Sequence, residues 1–260
     1  LKYDKKSFIR NTRISGFSER PRVYMVAFSR DYFGKHLDIL PKETPTEGRK
    51  EIFHSVLDIL DTEVSERFFL SSGLLETLEK HRVRQKSNGN GFGYRIVNDA
   101  SITRPLAHTI LATGGSGKER NLIYDPGNGR DIAGRNVPGK KTPINEKCIR
   151  TMTPEEWGRL QGFIGYAFLD KNGNETFSFP EKMSNQQKFK QFGNSVSIPL
   201  IEEMALFIRD CVTRMEAEFS EAERERYEIP GALLKVQNDI RKLLKDEKPK
   251  TVEKCCRLVS

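Results

Sequence analysis

The sequence lacks the features that mark secreted, membrane and metal-binding proteins. No apolar run approaches the roughly 18 residues of a membrane span, and there is no signal peptide. The cysteines are scattered at 148, 211, 255 and 256, without the spacing of a metal site or a disulfide framework. We therefore expect a protein of the reducing cytoplasm, with no membrane partner and no bound metal.

The first residue is Leu rather than Met, so we expect the chain to be the later part of a longer gene product or a cropped piece of one. Its 260 residues are enough for a substantial core and for as many as two domains. Contents of 36% hydrophobic and 31% charged residues fit a soluble globular protein. The net charge of +8 favours a polyanionic partner.

Residues 87–139 differ in composition from the rest of the chain. They hold ten of the twenty glycines, and from Lys80 to Arg150 there are 14 Lys or Arg against 5 Asp or Glu. A basic, glycine-rich segment is suited to lying along phosphates, although a flexible surface loop is the alternative. Residues 113–118 are not interpreted as a nucleotide-binding loop, because the Gly-Lys-Ser/Thr ending is missing.

Periodicity and capping signals predict the regular elements. Residues 22–29 are rich in β-formers and predict a buried strand, and Ser71 or Ser72 is placed to cap a helix over residues 74–84. The residues that this helix is expected to bury are Leu74, Leu75 and Leu78. Other helices are predicted over residues 50–60, 153–161, 199–219 and 233–244.

Two patterns carry candidate functional side chains. Arg20 and Arg22 are spaced by one residue and point to opposite faces if extended, so that one can face a site while the other braces it. Two solvated arginines are the alternative. Residues 150–163 predict a helix that is capped by Thr153, has Pro154 at its first position and stops at Gly162.

A third pattern, KFKQFGNSVSIP at residues 188–199, is interpreted as the start of a helix with one tight backbone feature. Gly193 permits a positive φ or the close approach of another segment. Asn194 and Ser195 are short polar residues that favour caps and turns. By itself the pattern is also compatible with an ordinary helix start.

Taken in order, these patterns resemble the C-terminal part of the C5-cytosine-specific DNA methyltransferase family. Arg20-Pro21-Arg22 is similar to the family's Gln-x-Arg-x-Arg strand entry, RTMTPEEWGRLQGF at 150–163 to the helix that organises its recognition region, and QFGNSV at 191–196 to its closing motif. The resemblance covers residues 11–208. It implies an α/β fold, the C-terminal part of a Rossmann-like S-adenosylmethionine-dependent methyltransferase domain plus a small, irregular, mostly β target recognition domain.

The resemblance also implies roles for individual residues. Enzymes of the family flip a cytosine out of the duplex, add a Cys thiolate at its C6 atom and contact N3 with a Glu. Arg22 is implied to reach the flipped cytosine, and Arg20 to hold the local network or the active-site loop. Asn194 and Ser195 are implied to touch the cofactor, S-adenosyl-L-methionine.

Residues 94–96 and 109–115 resemble the two loops with which the family enters the major groove. Arg95 is implied to pair with guanine, and Phe92 to fill space left by the flipped base. The full set of implied DNA-binding residues is Phe92, Tyr94, Arg95, Thr109, Thr113, Gly114, Gly115, Lys118 and Arg120, with Lys86 as a further phosphate contact.

The sequence departs from the family in what it does not contain. There is no Phe-x-Gly-x-Gly cofactor loop, no Glu-Asn-Val and no cysteine that follows a proline. Ser18 or Glu19 stands where the family has Gln, so the role of that Gln is not transferred. We therefore expect the nucleophile in an N-terminal part, fused upstream or supplied as a separate subunit.

The predicted organisation has four parts: 1–70, the last strands of the catalytic domain; 71–150, the recognition domain; 151–220, the scaffold and return helices; and 221–260, a charged extension. The predicted function is that of a DNA (cytosine-5) methyltransferase C-terminal part, acting on duplex DNA in restriction–modification. Two alternatives stay open, a non-catalytic sequence-specific DNA-binding module derived from such an enzyme and a basic RNA-binding protein.

Overall fold

The computed structural model describes residues 9–12, 18–46, 55–90, 94–102, 105–112 and 120–226. Its strands are β1 Ile9–Asn11, β2 Ser18–Glu19, β3 Pro21–Val23, β4 Arg95–Ile96, β5 Ala107–His108, β6 Asn121–Tyr124 and β7 Ile149–Thr151. Its α-helices are α1 Arg30–Phe33, α2 Ser72–Ser87, α3 Pro126–Gly129, α4 Pro154–Leu160, α5 Asn185–Asn194, α6 Ile198–Ala217 and α7 Glu221–Arg226.

Three small sheets join distant parts of the chain. β1 runs antiparallel to β3, β2 runs parallel to β5, and a third sheet has the order β4-β6-β7. Within the third sheet β4 is parallel and β7 antiparallel to the central strand β6. The β2–β5 pair is important for the site, because it ties the segment before Arg20 to the residues just before Ile110.

The predicted buried strand over residues 22–29 is wrong in extent and in burial. Strand structure stops at Val23, and residues 21–28 alternate between exposed and half-buried side chains. Within the described ranges β3 pairs only with β1, which is three residues long. Among the described residues no ladder continues beyond Val23, and the side chains of Val23 and Met25 are exposed.

α2 confirms the predicted helix and its cap, since the Ser71 hydroxyl accepts a hydrogen bond from the Leu74 amide. The prediction that its three leucines are buried is wrong. Leu75 and Leu78 are half-buried against the cluster of Leu70, Leu122 and Ile149, and Leu74 is exposed. The helix rests on the sheet along one edge only, which leaves Leu74 outside the contact.

The main core lies beneath α4 and α5. The indole of Trp157 is buried, and its ring centroid lies 4.7 Å from that of Phe189. The other buried residues of this cluster are Val56, Ile59, Val97, Ala107, Ile110, Ile123, Met152, Leu160 and Phe192. Since Ile110 and Phe192 belong to this cluster, the core directly supports two segments that the sequence singled out.

Other predicted helices have different outcomes. α6 closely matches the prediction over residues 199–219, whereas the prediction over 233–244 lies outside the described residues. Of the prediction over 50–60 the described part is a short 3₁₀ helix, Val56–Ile59. Within the described ranges, no helix combines the length and apolar character needed to cross a membrane.

Candidate functional site

The Gly193-Asn194-Ser195 segment ends one helix instead of starting one, which corrects the sequence-based prediction. α5 begins upstream, where Ser184 and Gln187 form a capping box, and it ends with Ser195 as its C-cap. The Ser195 hydroxyl donates to the Phe192 carbonyl at 2.7 Å. The helix start is therefore at Ser184, and Gly193, Asn194 and Ser195 form the last turn and C-cap of α5, just before the connection to α6.

Gly193 is required by close packing against another segment. A Cβ atom at this position would lie 2.2 Å from the carbonyl oxygen of Leu111 and 2.7 Å from the Cα atom of Ala112. Because both neighbours are backbone atoms, no rotamer change relieves the clash. Of the two explanations that the sequence allowed, close approach is thus the one observed.

Arg20 connects the three parts of this site. Its Nη1 donates to the Ile110 carbonyl at 2.7 Å, and its Nη2 donates to the carbonyls of Gly193 and Ser195, both at 2.8 Å. The residue is only 3% exposed, so the interpretation of Arg20 as a solvated surface arginine is wrong. Burial, followed by the charge of Arg22, lowers the pKa of Arg20 to about 10, which leaves the guanidinium charged at neutral pH.

Arg22 lies in β3, two residues after Arg20, in a different environment. It is half-buried, and its Nη1 donates to the Pro21 carbonyl at 2.8 Å. Among the described residues, no other acceptor is bonded to its guanidinium, so most of its donors are available. Arg20 is thus bonded to three carbonyl groups, whereas the Arg22 guanidinium is largely uncommitted among the described residues.

The helix after Thr153 joins the same assembly through its last residues. The Ile198 amide donates to the Gln161 carbonyl at 2.9 Å. Gly162 has a φ of 77°, and a Cβ atom there would meet the Pro199 ring at 2.7 Å. The three sequence patterns, far apart along the chain, therefore converge around the start of α6.

A buried ion-pair network fixes α4. The Arg150 side chain donates to both carboxylate oxygens of Glu156, at 2.9 and 2.8 Å, and through Nε to Asp125 at 2.7 Å. Glu156 also completes the capping box with Thr153, as the sequence predicted for that cap. On the outer side Arg159 pairs with Asp61 at 2.6 Å.

Tyr94 lies just before β4, and Arg95 is the first residue of that strand, which belongs to the β4-β6-β7 sheet. The Tyr94 hydroxyl donates to Glu79, and the Arg82 guanidinium lies 5.2 Å from the ring centroid. Burial and the bond to Glu79 raise the pKa of Tyr94 to about 12. Arg95 is half-buried on an open cleft of about 950 Å³, and its side chain forms no hydrogen bond or ion pair with the described residues.

The remaining predicted site residues are placed as follows. Asn194 is exposed, and Thr109 and Arg120 are half-buried. Five predicted DNA-binding residues lie outside the described residues: Phe92, Thr113, Gly114, Gly115 and Lys118.

Sequence reasoning missed Asn121, which fixes the backbone of His108 just before the 109–115 segment. This buried side chain accepts from the His108 amide at 2.7 Å and donates to the His108 carbonyl at 2.9 Å. The only available signal was a polar residue at the edge of an apolar run, a pattern that is common in strand ends. Ile110 and Leu111 lie in the 109–115 segment that the sequence singled out, but the roles of their carbonyl groups were not predicted, because side-chain motifs do not reveal them.

Residues 3–209 match the family model of the C-5 cytosine-specific DNA methylases. A type II methyltransferase, M.HpaII of Haemophilus parainfluenzae, is 37% identical over 139 residues, which is 54% of this chain and 33% of that protein.

Two further relatives cover more of the chain at lower identity. The type II methyltransferase M1.ScrFI of Lactococcus lactis subsp. cremoris is 28% identical, with coverage of 72% of this chain and 38% of the relative. A DNA-cytosine methyltransferase of Escherichia coli K12 is 28% identical, with coverage of 80% and 42%. The chain thus spans 33–42% of the length of these three relatives.

Proposed function

Because the chain belongs to the C-5 cytosine-specific DNA methylase family, we propose that it is the DNA-recognition and partial active-site portion of a DNA (cytosine-5) methyltransferase. The single observation that carries this proposal is the position of Arg20. Its side chain links the strand of Arg22 to the base of a recognition loop at Ile110 and to the Gly193–Ser195 connection. A DNA-reading loop, a base-facing arginine and a cofactor-side turn are thereby held in one unit.

The reaction proposed is methyl transfer to C5 of a cytosine that is flipped out of a specific duplex site. In this chain Arg22 is proposed to donate hydrogen bonds to the flipped base, since its guanidinium is half-buried and largely uncommitted. Arg20 is a positioning residue that holds Arg22's strand in place. The cysteine nucleophile and the base-contacting Glu belong to the N-terminal part, fused or separate.

The proposed cofactor, S-adenosyl-L-methionine, fits the closing turn in part. The side-chain amide of the exposed Asn194 has no hydrogen-bond partner among the described residues, so its donors and its acceptor are free for a polar ligand. The Ser195 hydroxyl proton and carbonyl are already committed to Phe192 and Arg20. Asn194 would thus hold the cofactor, which supplies the methyl group when bound, and Ser195 would shape the turn.

Sequence recognition is proposed to lie in residues 71–150, with the flanking segments 1–70 and 151–220 belonging to the catalytic domain and 221–260 forming an extension. Arg95 would pair with a guanine, and Phe92 would fill the space left by the flipped base. The other DNA-binding residues would be Tyr94, Thr109, Thr113, Gly114, Gly115, Lys118 and Arg120. Tyr94 is already bonded to Glu79, so we propose that it sets the position of Arg95. We further propose that the enzyme works in the cytoplasm as part of a restriction–modification system.

A second candidate function is a non-catalytic DNA-binding module, and the cysteines favour it for this chain alone. Cys148 and Cys211 are both buried, and burial raises the pKa of Cys211, which disfavours a reactive thiolate. Neither these two nor Cys255 and Cys256 follow a proline. In this reading the chain would bind a specific duplex without contributing to methyl transfer.

Complementation separates the two functions. The chain is incubated with duplex DNA and S-adenosylmethionine labelled in the methyl group, with and without the N-terminal part. We expect label in DNA only when both parts are present, and loss of that label with Arg22→Ala. Sequence-specific binding without label after complementation would leave the DNA-binding module as the function.

Substitution of Arg95 tests the recognition role directly. A bidentate arginine–guanine contact discriminates by about 1–3 kcal/mol, so Arg95→Ala should lose sequence preference with a modest loss of overall affinity. The measurement is a binding competition between cognate and scrambled duplexes. Equal weakening on both duplexes would make Arg95 a phosphate contact instead.

A further inference from the structure

Tyr94, the residue just before Arg95, is held at both ends of its side chain. Its ring packs against the buried cluster that contains Leu122. Its hydroxyl donates a hydrogen bond to Oε2 of Glu79 on α2. A half-buried tyrosine whose ring and hydroxyl are both engaged has little rotational freedom. The backbone next to Arg95 is therefore fixed at this point.

The short strand β4 fixes the chain on the other side of Arg95. Arg95 pairs with Asn121 of β6, and the Val97 amide donates to the Leu122 carbonyl at 2.8 Å. β4 is only two residues long, and so short a strand contributes few ladder hydrogen bonds. The contact between Tyr94 and α2 thus anchors the side of Arg95 that the ladder does not reach.

The Glu79 carboxylate is itself held in place on α2. Arg82, one turn later on the same helix, donates to Oε1 of Glu79 at 2.6 Å, so the two carboxylate oxygens serve different partners. The Arg82 guanidinium also lies 5.2 Å from the centroid of the Tyr94 ring. The bonds from Tyr94 and Arg82 lower the pKa of Glu79, which keeps the carboxylate charged at neutral pH. Glu79, Arg82 and Tyr94 form one closed group, here called the α2 brace.

The α2 brace lies beside Arg95, since all four side chains line the cleft of about 950 Å³. A bidentate contact between arginine and guanine is a planar fork, and such a contact needs its groups within about 0.5 Å and 10–20° of the productive geometry. An arginine side chain has many rotamers, so the backbone that carries it must be fixed before it can discriminate between bases.

We propose that Glu79 is a positioning residue for sequence recognition, which holds Tyr94 from α2 and thereby sets the orientation in which Arg95 meets a guanine. Arg82 completes the brace by orienting the Glu79 carboxylate. The inference rests on the proposed function, in which Arg95 pairs with a base. It places a determinant of sequence preference on α2, outside residues 94–96 and 109–115, and on a side chain that touches no base itself.

Glu79→Ala tests the brace in the complete methyltransferase, fused to or co-purified with its N-terminal part. The probes are a duplex that the parent enzyme selects from a randomised pool and a scrambled duplex of the same length and composition. We expect the ratio of the two affinities to fall about five- to tenfold, the lower part of the range that a bidentate contact supplies. Binding to the scrambled duplex should not weaken, because loss of a carboxylate favours association with phosphates.

Glu76→Ala is the matched control. Glu76 lines the same cleft one turn earlier on α2 and carries the same charge, but it pairs with Lys80. Its substitution should leave the affinity ratio within about twofold of the parent value. Glu79→Gln keeps an acceptor for the Tyr94 hydroxyl and should restore part of the ratio. Equal ratios for Glu79→Ala and Glu76→Ala would overturn the proposal.

A double-mutant cycle with Arg95→Ala determines whether Glu79 acts through Arg95. In the Arg95→Ala background, Glu79→Ala should change the ratio by less than about twofold, because the side chain that it positions is gone. A further fall as large as that in the parent background would make Glu79 independent of Arg95, which overturns the proposal and leaves the proposed function intact. A randomised pool that yields no preferred duplex would overturn both.

Discussion

At the scale of single residues, Arg20 shows how one side chain organises three segments. It satisfies carbonyl groups of Ile110, Gly193 and Ser195, two of which belong to the end of α5, where carbonyl groups have no partner within the helix. A lysine cannot replace it, because a single ammonium group does not reproduce the planar fork that reaches two sides. The site is therefore held by geometry as much as by charge.

Gly193→Ala is expected to destabilise the protein. The new methyl group would lie 2.2 Å from the Leu111 carbonyl oxygen, so the Leu111–Ala112 backbone and α5 must separate. Overpacking of this kind costs about 1–3 kcal/mol, which equilibrium unfolding in urea would measure.

Gly127→Ala is the control for that measurement. Gly127 is exposed, and a Cβ atom there would meet only the Asp125 side chain at 3.7 Å, which is ordinary contact distance. We expect its free energy of unfolding to stay within about 0.5 kcal/mol of the parent chain. Equal effects of the two substitutions would contradict the role of close packing at Gly193.

At the scale of elements, α4 is the helix on which the site is built. Its first turn is fixed by Glu156 and Thr153, its inner face by the burial of Trp157, and its end by Gly162 against Pro199. The position of α4 thereby sets where α6 begins.

Arg150→Met tests the ion pairs beneath this helix. The substitution leaves Glu156 buried without its cation, and loss of one partner of a buried pair costs about 3–5 kcal/mol. Urea unfolding should show this loss. Arg209→Met removes the exposed pair with Asp210 and should change stability by about 1 kcal/mol or less. Comparable losses would show that the network does not stabilise α4.

Glu223 bonds α7 to His36, and the pKa of its carboxyl group is lowered. Hydrogen bonds from the Ser220 amide, the Ser220 hydroxyl and His36 lower the pKa of Glu223 to about 2, from its usual 4.5. A depressed carboxyl pKa stabilises the folded state above pH 4.5, and this contribution is lost as the pH falls towards 2.

Glu223→Gln should therefore reduce the loss of protein stability between neutral and acidic pH. Thermal unfolding of the parent chain and the variant, followed from neutral to acidic pH, should differ most above pH 4.5 and converge near pH 2. A difference that is constant with pH would mean that the carboxylate does not hold α7.

At the scale of the whole molecule, the basic charge is concentrated where DNA is proposed to bind. Lys86 and Arg120 form no ion pair or hydrogen bond through their side chains with the described residues, as is true of Arg95. Cations that are not paired within the protein are the ones free to replace counterions along a phosphate backbone.

Each of Lys86→Ala and Arg120→Ala is expected to reduce the salt dependence of DNA binding. Loss of one phosphate contact changes the slope of log K against log salt by about 0.9, which a titration series at several salt concentrations measures. Lys80→Ala is the control, since Lys80 already pairs with Glu76. An unchanged slope in both test variants would place the DNA elsewhere.

Family membership confirms the predicted α/β fold class, the C-terminal part of a Rossmann-like methyltransferase domain. The sequence was sufficient for this because its three patterns are short and local. The cap of α4 spans four residues, and its capping box and proline act within one turn.

By itself, then, the sequence determined the family, the ordered patterns and the main helices, because caps, periodicity and glycine stops act between neighbouring residues. Only the tertiary structure decided which groups meet. The partners of Arg20 lie 90, 173 and 175 residues away, the atom that excludes a side chain at Gly193 belongs to Leu111, and Tyr94 bonds to Glu79 on another element. Whether residues 22–29 form a buried strand depends likewise on neighbouring strands, and no periodicity within the segment can supply those.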